Sequence, residues 1–291
     1  MGSKSILGSV GGHIASLFNK KGKTAIVARA HLSSPIRFPG GPFQFKFHPP
    51  GSGAYEVYAS GDLENWEPVL SGKSSGEPGD FVDSDASKFN CRFYRVLAET
   101  IWSSNLVGYV TVNVPPGYSM IANPLQAPSN SVGAILAGMP DGTTFNKFDT
   151  HMFKLTNNTV ANAKWSRPDE TLVPGEGAIL FNPTSNFKTL NFVGEVMQGD
   201  LLMPIAAGFS VRSSQIPKPG RLEADLGFPM SKGDLVHLFD RDRQNYVIYE
   251  YDRQKWRSDP PVVNVGEAFW IGKTSPGNWV QRLLIQETHG L

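Results

Sequence analysis

Apolar and polar residues alternate along several segments of the chain, and this period of two is typical of β-strands with one buried face. Phe43, Phe45 and Phe47 are separated by single polar residues, and residues 109–114 read Tyr-Val-Thr-Val-Asn-Val. Further strands are predicted at 54–60, 92–97, 118–122, 143–149, 178–182 and 190–196. The pattern predicts an all-β protein. One short helix is expected after Ser131, with Val132, Ile135 and Leu136 facing inward.

The amino-acid composition supports an all-β fold. The 291 residues include 30 Gly and 22 Pro, which favour turns over helices, and 18 Phe, 8 Tyr and 6 Trp, which favour strands. A chain of this length suits two or three domains. Cys91 is the only cysteine, so an intrachain disulfide or a thiolate metal cluster is excluded.

Two similar segments of eight residues occur in the chain, 91 positions apart. Residues 173–180 read Val-Pro-Gly-Glu-Gly-Ala-Ile-Leu, and residues 264–271 read Asn-Val-Gly-Glu-Ala-Phe-Trp-Ile. The same step relates Gly108 to Gly199, Gly117 to Gly208, Gly142 to Gly233, Phe148 to Phe239 and Trp165 to Trp256. A repeat in constant register indicates two copies of one structural unit. Its predicted structural anchors are Gly117, Gly175, Glu176, Gly208, Gly266 and Glu267.

These observations predict three β-sandwich or barrel-like modules in series, preceded by a short helical or extended arm. The arm occupies residues 1–40, a small β module residues 41–100, repeat A residues 107–197 and repeat B residues 198–288. The last two modules form the 91-residue tandem repeat.

Basic charge is concentrated in the N-terminal arm. Residues 1–40 contain six Lys or Arg and no Asp or Glu, whereas the whole chain has a net charge of +1, so the remainder carries −5. Near-helical spacing predicts an amphipathic helix whose apolar positions are Ile6, Leu7, Val10, Ile14, Leu17 and Phe18. Alternation predicts a strand whose inward positions are Ile26, Ala28, Ala30 and Leu32.

Three interpretations of the arm remain open: a solvated or self-packed tail, an anchor on anionic lipid, and an element that docks on a neighbouring subunit. The chain has no run of about 18 or more apolar residues, so we expect no transmembrane segment. The lysines follow the apolar stretch, so the arm is not a clear secretory signal. Aromatic residues do not alternate with these lysines, and we expect no nucleic-acid partner.

Two parts of the sequence resemble modules of bacterial proteins. The segments 58–66, 79–83 and 92–95 resemble a small β-sandwich module of large secreted bacterial proteins. The segments 116–125, 145–149 and 172–180 resemble a β module of bacterial surface proteins with a Gly-aromatic, Asn-Pro and Pro-Gly-Gln-Gly pattern, in which Glu176 replaces the Gln. Repeat B lacks the Asn-Pro. The resemblance implies an extracellular or cell-surface location and a β architecture, and no chemistry.

One oxygen-rich cluster is a candidate metal site. Asp83, Asp85, Ser87 and Asn90 follow a D-x-D-x-S spacing that could hold Ca²⁺, which prefers six to eight oxygen ligands. The cluster lacks the Gly and the distal Glu of an EF-hand loop. The alternative is a polar turn held by its own side-chain hydrogen bonds. We expect no other cofactor.

The repeated carboxylates and tryptophans are the remaining candidates for a site. Glu176 and Glu267 invite comparison with a glycosidase pair, but equivalent positions of two modules predict instead that each accepts backbone N–H bonds in its own turn. Trp165 with Arg167, and Trp256 with Arg257, could stack on and bind a sugar, although a repeated Trp is more often part of a core.

No catalytic motif was found: the six histidines form no H-E-x-x-H, and there is no G-x-S-x-G, Walker or dinucleotide fingerprint. The sequence therefore favours a non-catalytic structural or adhesive surface protein that self-assembles into an oligomer or filament through its β modules and arm. The alternatives are a carbohydrate-binding protein with a glycan or cell-surface partner that uses exposed Trp, and a membrane-apposed protein anchored by its N-terminal helix.

Overall fold

The computed structural model describes residues 15–18, 24–38 and 40–284, and within this part the protein is all-β, as the sequence predicted. The strands before the repeats are β1 (Ala15–Phe18), β2 (Thr24–Val27), β3 (His31–Arg37), β4 (Phe43–His48), β5 (Ser52–Ser60), β6 (Glu67–Ser75), β7 (Gly79–Asp83), β8 (Cys91–Ala98) and β9 (Ile101–Trp102). A 3-10 turn spans Ala86–Lys88.

Both repeats contain the same main strands, and each adds short elements of its own. Repeat A contains β10 (Val107–Val114), β11 (Gly117–Ile121), α1 (Val132–Ile135), β12 (Thr144–Asn146), β13 (Phe148–Asp149), β14 (Lys154–Leu155), β15 (Asn158–Ala161), β16 (Lys164–Trp165), β17 (Ala178–Asn182) and β18 (Lys188–Glu195). Repeat B contains β19 (Gly199–Ile205), β20 (Gly208–Arg212), β21 (Gly220–Arg221), β22 (Leu235–Asp240), β23 (Asn245–Asp252), β24 (Lys255–Trp256), β25 (Val262–Val263), β26 (Phe269–Lys273) and β27 (Gly277–Leu283). Helix α1 confirms the predicted helix, with Val132 and Leu136 buried.

Each repeat is built on a five-stranded antiparallel sheet. The strand order is β11-β17-β12-β15-β16 in repeat A and β20-β26-β22-β23-β24 in repeat B, so equivalent strands occupy equivalent places. The turn glycines match as well: φ is 88° at Gly117 and 94° at Gly208, in the left-handed region that favours glycine. The last strands of the two repeats, β18 and β27, are also equivalent, but they are 89 positions apart instead of 91. Gly108 pairs with Gly194, and its equivalent Gly199 pairs with Leu283. The loop before β27 is therefore two residues shorter.

The first module and repeat A share one sheet. Its order is β18-β10-β8-β5-β6, so the two strands that begin and end repeat A extend the sheet of the preceding module. One face of this sheet packs against the three-stranded sheet β3-β4-β7 through buried aromatic rings, with Phe43 stacked on Tyr94 at 4.9 Å between ring centroids. Near β10 the other face packs against the five-stranded sheet of repeat A. The predicted series of modules is thus joined by backbone pairing.

The N-terminal arm differs from both predictions made for it. Residues 15–18 form a strand that pairs with Thr24–Val27, so the predicted helix is wrong at Leu17 and Phe18. Ile6, Leu7, Val10 and Ile14 lie outside the described residues. The predicted strand at residues 24–32 is interrupted at residues 28–30. Ala28 is exposed, whereas Ala30 and Leu32 are fully buried in the core of the first module, and His31–Arg37 pairs with β4.

A buried ion pair distinguishes repeat B from repeat A. Asp234 and Lys273 have almost no exposed side-chain surface, and the Lys273 ammonium donates to the Asp234 carboxylate and to the Pro229 carbonyl oxygen. The equivalent residues of repeat A are Thr143 and Asn182. Removing one partner of a buried ion pair leaves an uncompensated charge, which costs about 3–5 kcal/mol.

We predict that Lys273→Ala destabilises the protein by about 3–5 kcal/mol, because the Asp234 carboxylate would remain buried without its counter-charge. Urea unfolding followed by tryptophan fluorescence measures the effect. Lys46→Ala is the matched control, since the Lys46–Asp80 pair is half-exposed and such pairs contribute below about 1 kcal/mol. Equal losses in the two variants would contradict the prediction.

Candidate functional site

The two repeats meet across an approximate two-fold relationship at their repeated turns. The Ala122 N–H donates to the Gly266 carbonyl oxygen at 3.0 Å, and the Ser213 N–H donates to the Gly175 carbonyl oxygen at the same distance. Ser213 lies 91 positions after Ala122, and Gly266 lies 91 positions after Gly175. The two hydrogen bonds are therefore reciprocal, so each repeat presents the same turn to the same strand end of the other.

Apolar side chains at equivalent positions fill this interface. The buried cluster contains Met120, Ala122, Val211 and Ala268, with Phe148, Ile179, Phe239 and Trp270 packed against it. Six of these eight residues form equivalent pairs: Met120 with Val211, Phe148 with Phe239, and Ile179 with Trp270. Gly177 allows the close approach, because a Cβ there would lie 2.4 Å from the Ala268 Cβ. Packing between the repeats thus accounts for much of the repeated pattern.

The repeated glutamates stabilise their own turns, as the sequence predicted. A Glu176 carboxylate oxygen accepts the Val173 N–H at 3.0 Å, and a Glu267 carboxylate oxygen accepts the Asn264 N–H at 3.0 Å. Lys147 lies 2.8 Å from the other Glu176 oxygen. Gly175 and Gly266, just before the glutamates, have φ values of 94° and 77°. Each glutamate therefore holds a turn whose glycine carbonyl binds the other repeat.

A hairpin loop of repeat B adds polar contacts that sequence reasoning missed. Gln244 accepts the Tyr118 N–H at 2.7 Å and donates to the Tyr118 carbonyl oxygen at 3.0 Å, so its amide acts as a short substitute strand beside β11. Arg241 donates to the Met120 carbonyl oxygen at 3.0 Å. Burial lowers the pKa of Arg241, and the Glu267 carboxylate acts in the opposite direction. The equivalent residues of repeat A are Thr150 and Phe153, so comparison of the two repeats does not single out Arg241 and Gln244.

The two candidate sugar-binding tryptophans are packed into the repeats. Trp165 is 9% exposed, and its indole N–H donates to the Leu136 carbonyl oxygen at 3.1 Å, so most of this ring is used in packing within repeat A. Trp256 is half-buried beside Tyr249 and Tyr251.

The two arginines of the sugar-binding prediction bind carboxylates of the chain itself. Arg167 pairs with Glu170 at 2.5 Å, and Arg257 pairs with Glu250 at 2.9 Å. The carboxylates therefore occupy both arginines, and Trp165 and Trp256 belong to different core clusters, so the four residues do not form one site.

The two acidic residues of the candidate Ca²⁺ cluster are bound by other side chains of the protein. Asp83 is buried, and its carboxylate accepts hydrogen bonds from Arg92 at 2.9 Å and Tyr94 at 2.6 Å. Asp85 pairs with Lys88 at 2.7 Å. Basic side chains thus occupy the places where a cation would bind.

Ser87 and Asn90, the other two members of this cluster, are exposed. Within the described ranges, no group of three or more His, Cys, Asp or Glu residues could hold a metal ion.

The described part of the chain also contains no helix that is long and apolar enough to cross a membrane. Comparison with known proteins adds no assignment, because the chain matches no protein-family model, no curated protein and no solved structure.

His237 is a titratable group in an apolar setting on β22. Its ring lies between Phe209 and Tyr246, with centroid distances of 6.1 and 6.2 Å. Desolvation lowers the pKa of His237 below 6.5, so the folded state favours the neutral ring. The contribution of His237 to the free energy of unfolding is therefore complete at a pH above its pKa in the unfolded state. It is lost as the pH falls through its pKa in the folded state.

We predict that Glu176→Ala lowers the free energy of unfolding by about 1–2 kcal/mol, because the Val173 N–H loses its charged acceptor. Urea unfolding measures the loss. Glu176→Gln keeps an acceptor oxygen and should lose much less. A full loss in the Gln variant would show that charge, and not the turn hydrogen bond, is what the position requires.

We also predict that His237→Phe reduces the acid sensitivity of the fold. The wild-type urea midpoint should fall between about pH 7.5 and about pH 5.5, because the unfolded state binds the proton more readily, and the Phe variant should fall less. His151→Phe is the control, since His151 is exposed. The same fall in all three proteins would exclude His237 as the cause.

Proposed function

We propose that this chain is a non-catalytic structural or adhesive protein of the cell surface that assembles with copies of itself through its β modules and N-terminal arm. The observation that carries the proposal is that the repeated residues form turns and contacts between modules. Gly175, Glu176, Gly266 and Glu267 build turns and join the two repeats through hydrogen bonds. A protein whose repeated chemistry is devoted to joining β modules is suited to act as a scaffold.

Backbone pairing between modules supports the same proposal. The first module joins repeat A by antiparallel pairing of β8 with β10, and repeat A joins repeat B by reciprocal hydrogen bonds. Both kinds of contact can form between chains as well as within one, because strand edges and turn carbonyls provide unpaired backbone groups. The resemblance to secreted and surface modules supports the proposed location.

Charge supports the N-terminal arm as one element of assembly. The segment before Ala28 carries four basic residues and no acidic residue, so the remainder of the chain has a net charge of −3, and the segment of one copy is attracted to the body of another. The burial of Ala30 and Leu32 limits the segment that can reach a neighbour to the residues before Ala28. Strands β1 and β2 pair with each other and with no other described strand.

We predict that the full-length chain forms regular oligomers or filaments and that a chain beginning at Ala28 forms smaller particles. Starting at Ala28 retains Ala30 and Leu32, so the core of the first module is preserved. Mass measurement by light scattering and electron microscopy would compare the two proteins, with thermal unfolding as the control for folding.

If both proteins are monomeric at high micromolar concentration, the assembly proposal is wrong. If both form the same particles, the arm has no part in assembly.

A further inference from the structure

Each repeat has a tight hairpin turn in which two successive residues adopt the left-handed conformation. In repeat A the turn joins β15 to β16, and φ is 52° at Asn162 and 57° at Ala163. In repeat B the turn joins β23 to β24, and φ is 50° at Arg253 and 65° at Gln254. These residues form two equivalent pairs, 91 positions apart. Both turns therefore direct two successive backbone N–H groups away from the hairpin, an arrangement that can bind an anion.

In repeat A a carboxylate of the chain itself occupies this turn. The Asn162 N–H donates to one carboxylate oxygen of Asp141 at 3.0 Å, and the Ala163 N–H donates to the other oxygen at 2.8 Å. The two N–H groups of the turn are thus spaced to bind both oxygens of a single aspartate side chain.

The loop that carries this aspartate has the same geometry in repeat B. The Gly142 N–H donates to the Val160 carbonyl oxygen at 2.9 Å, and the equivalent Gly233 N–H donates to the Tyr251 carbonyl oxygen at 2.7 Å. The φ values of the two glycines are 85° and 84°. The residue that precedes each glycine therefore occupies an equivalent place beside its turn.

In repeat B a cation replaces the carboxylate at this place. Lys232 is the equivalent of Asp141, so the acceptor that repeat A supplies to its turn is replaced by a donor. Among the described residues, no oxygen atom accepts the N–H of Arg253 or of Gln254. The exchange reverses the charge beside the two N–H groups and leaves them open to an acceptor from another molecule.

A surface cavity of about 590 Å³ lies between the loop and the turn of repeat B. It is lined by Met230, Ser231, Lys232, Tyr251, Arg253 and Gln254. Lys232 and Arg253 are both exposed. The acidic side chains of the same hairpin, Glu250 and Asp252, pair instead with Arg257. The cavity thus combines two positive charges with the two N–H donors of the turn.

The residue types of the two turns support a binding role for repeat B. Two-residue turns of this conformation favour Asn and Gly, and repeat A has Asn162 at the first position. Repeat B has Arg253 there, although a left-handed conformation is uncommon for Arg. Arg forms paired hydrogen bonds with carboxylates, so its side chain suits an anionic ligand better than it suits the turn.

We propose that this cavity of repeat B binds an aspartate side chain of an acidic peptide, which takes the place that Asp141 has in repeat A. The N–H groups of Arg253 and Gln254 bind the two carboxylate oxygens, and the side chains of Lys232 and Arg253 neutralise the charge. An aspartate is favoured over other anions because repeat A shows how that side chain fits an equivalent turn. Self-assembly is not required for this binding.

The test measures the binding of a fluorescein-labelled tetra-aspartate peptide to the full-length chain by fluorescence polarisation. Lys232→Asp returns the carboxylate of repeat A to its equivalent place, where it fills the turn, so we expect peptide binding to weaken at least about tenfold. Lys232→Gln removes the charge but leaves the turn open, and it should weaken binding only about threefold.

Lys154→Asp is the matched control, since Lys154 is exposed in repeat A and the change in net charge is the same. This variant should bind the peptide within about twofold of wild type. Thermal unfolding shows whether each variant is folded, and a tetra-asparagine peptide measures binding that does not involve a carboxylate.

Each outcome supports or overturns the proposal. Loss of binding in Lys232→Asp alone supports it. If Lys232→Asp and Lys154→Asp weaken binding equally, the attraction is a general effect of charge and the site is wrong. If Lys232→Gln loses as much as Lys232→Asp, the turn does not hold the carboxylate. If the wild type binds the tetra-asparagine peptide equally well, or binds inorganic phosphate but neither peptide, the ligand is not an acidic peptide.

Discussion

The close contact between the two repeats is the interaction on which the rest of the structure depends. Two glycine turns present their carbonyl oxygens to equivalent strand ends. Because Gly177 has no Cβ, the Ala268 side chain of the other repeat can pack directly against its backbone. Glutamates hold these turns from within. Because the turns also determine where β17 and β26 begin, the same few residues position both the interface and an inner strand of each five-stranded sheet.

Local features of the fold could be predicted from the sequence, whereas contacts between distant segments could not. Alternation identified most strands, the 91-residue step identified equivalent turns, and the role of Glu176 followed from its place beside Gly175. Pairing of β8 with β10 joins two predicted modules, and nothing in either strand specifies its partner. The sequence predicted Asp83 as a metal ligand, because it does not show that Arg92 and Tyr94, which lie in a different strand, bind the Asp83 carboxylate.

The two repeats show how one fold tolerates different solutions in its core. Repeat A uses the Asn182 amide to bind the carbonyl oxygens of Val114 and Pro115, and repeat B uses a Lys–Asp pair at the equivalent place. Both solutions satisfy buried polar groups at a sheet end. Because the hydrogen bonds of Lys273 and Asp234 involve charged groups, removing either residue would destabilise repeat B by leaving the other charge buried and uncompensated.

The sheet shared by the first module and repeat A also constrains the order of folding during synthesis. Strand β8 ends at Ala98, but the sheet to which it belongs is complete only when β18, ending at Glu195, has joined β10. Contacts so distant in sequence form slowly, because a long loop must close first. A nascent chain on the ribosome therefore holds an incomplete sheet until Glu195 has been translated, and during that interval β10 presents an unpaired edge to its surroundings.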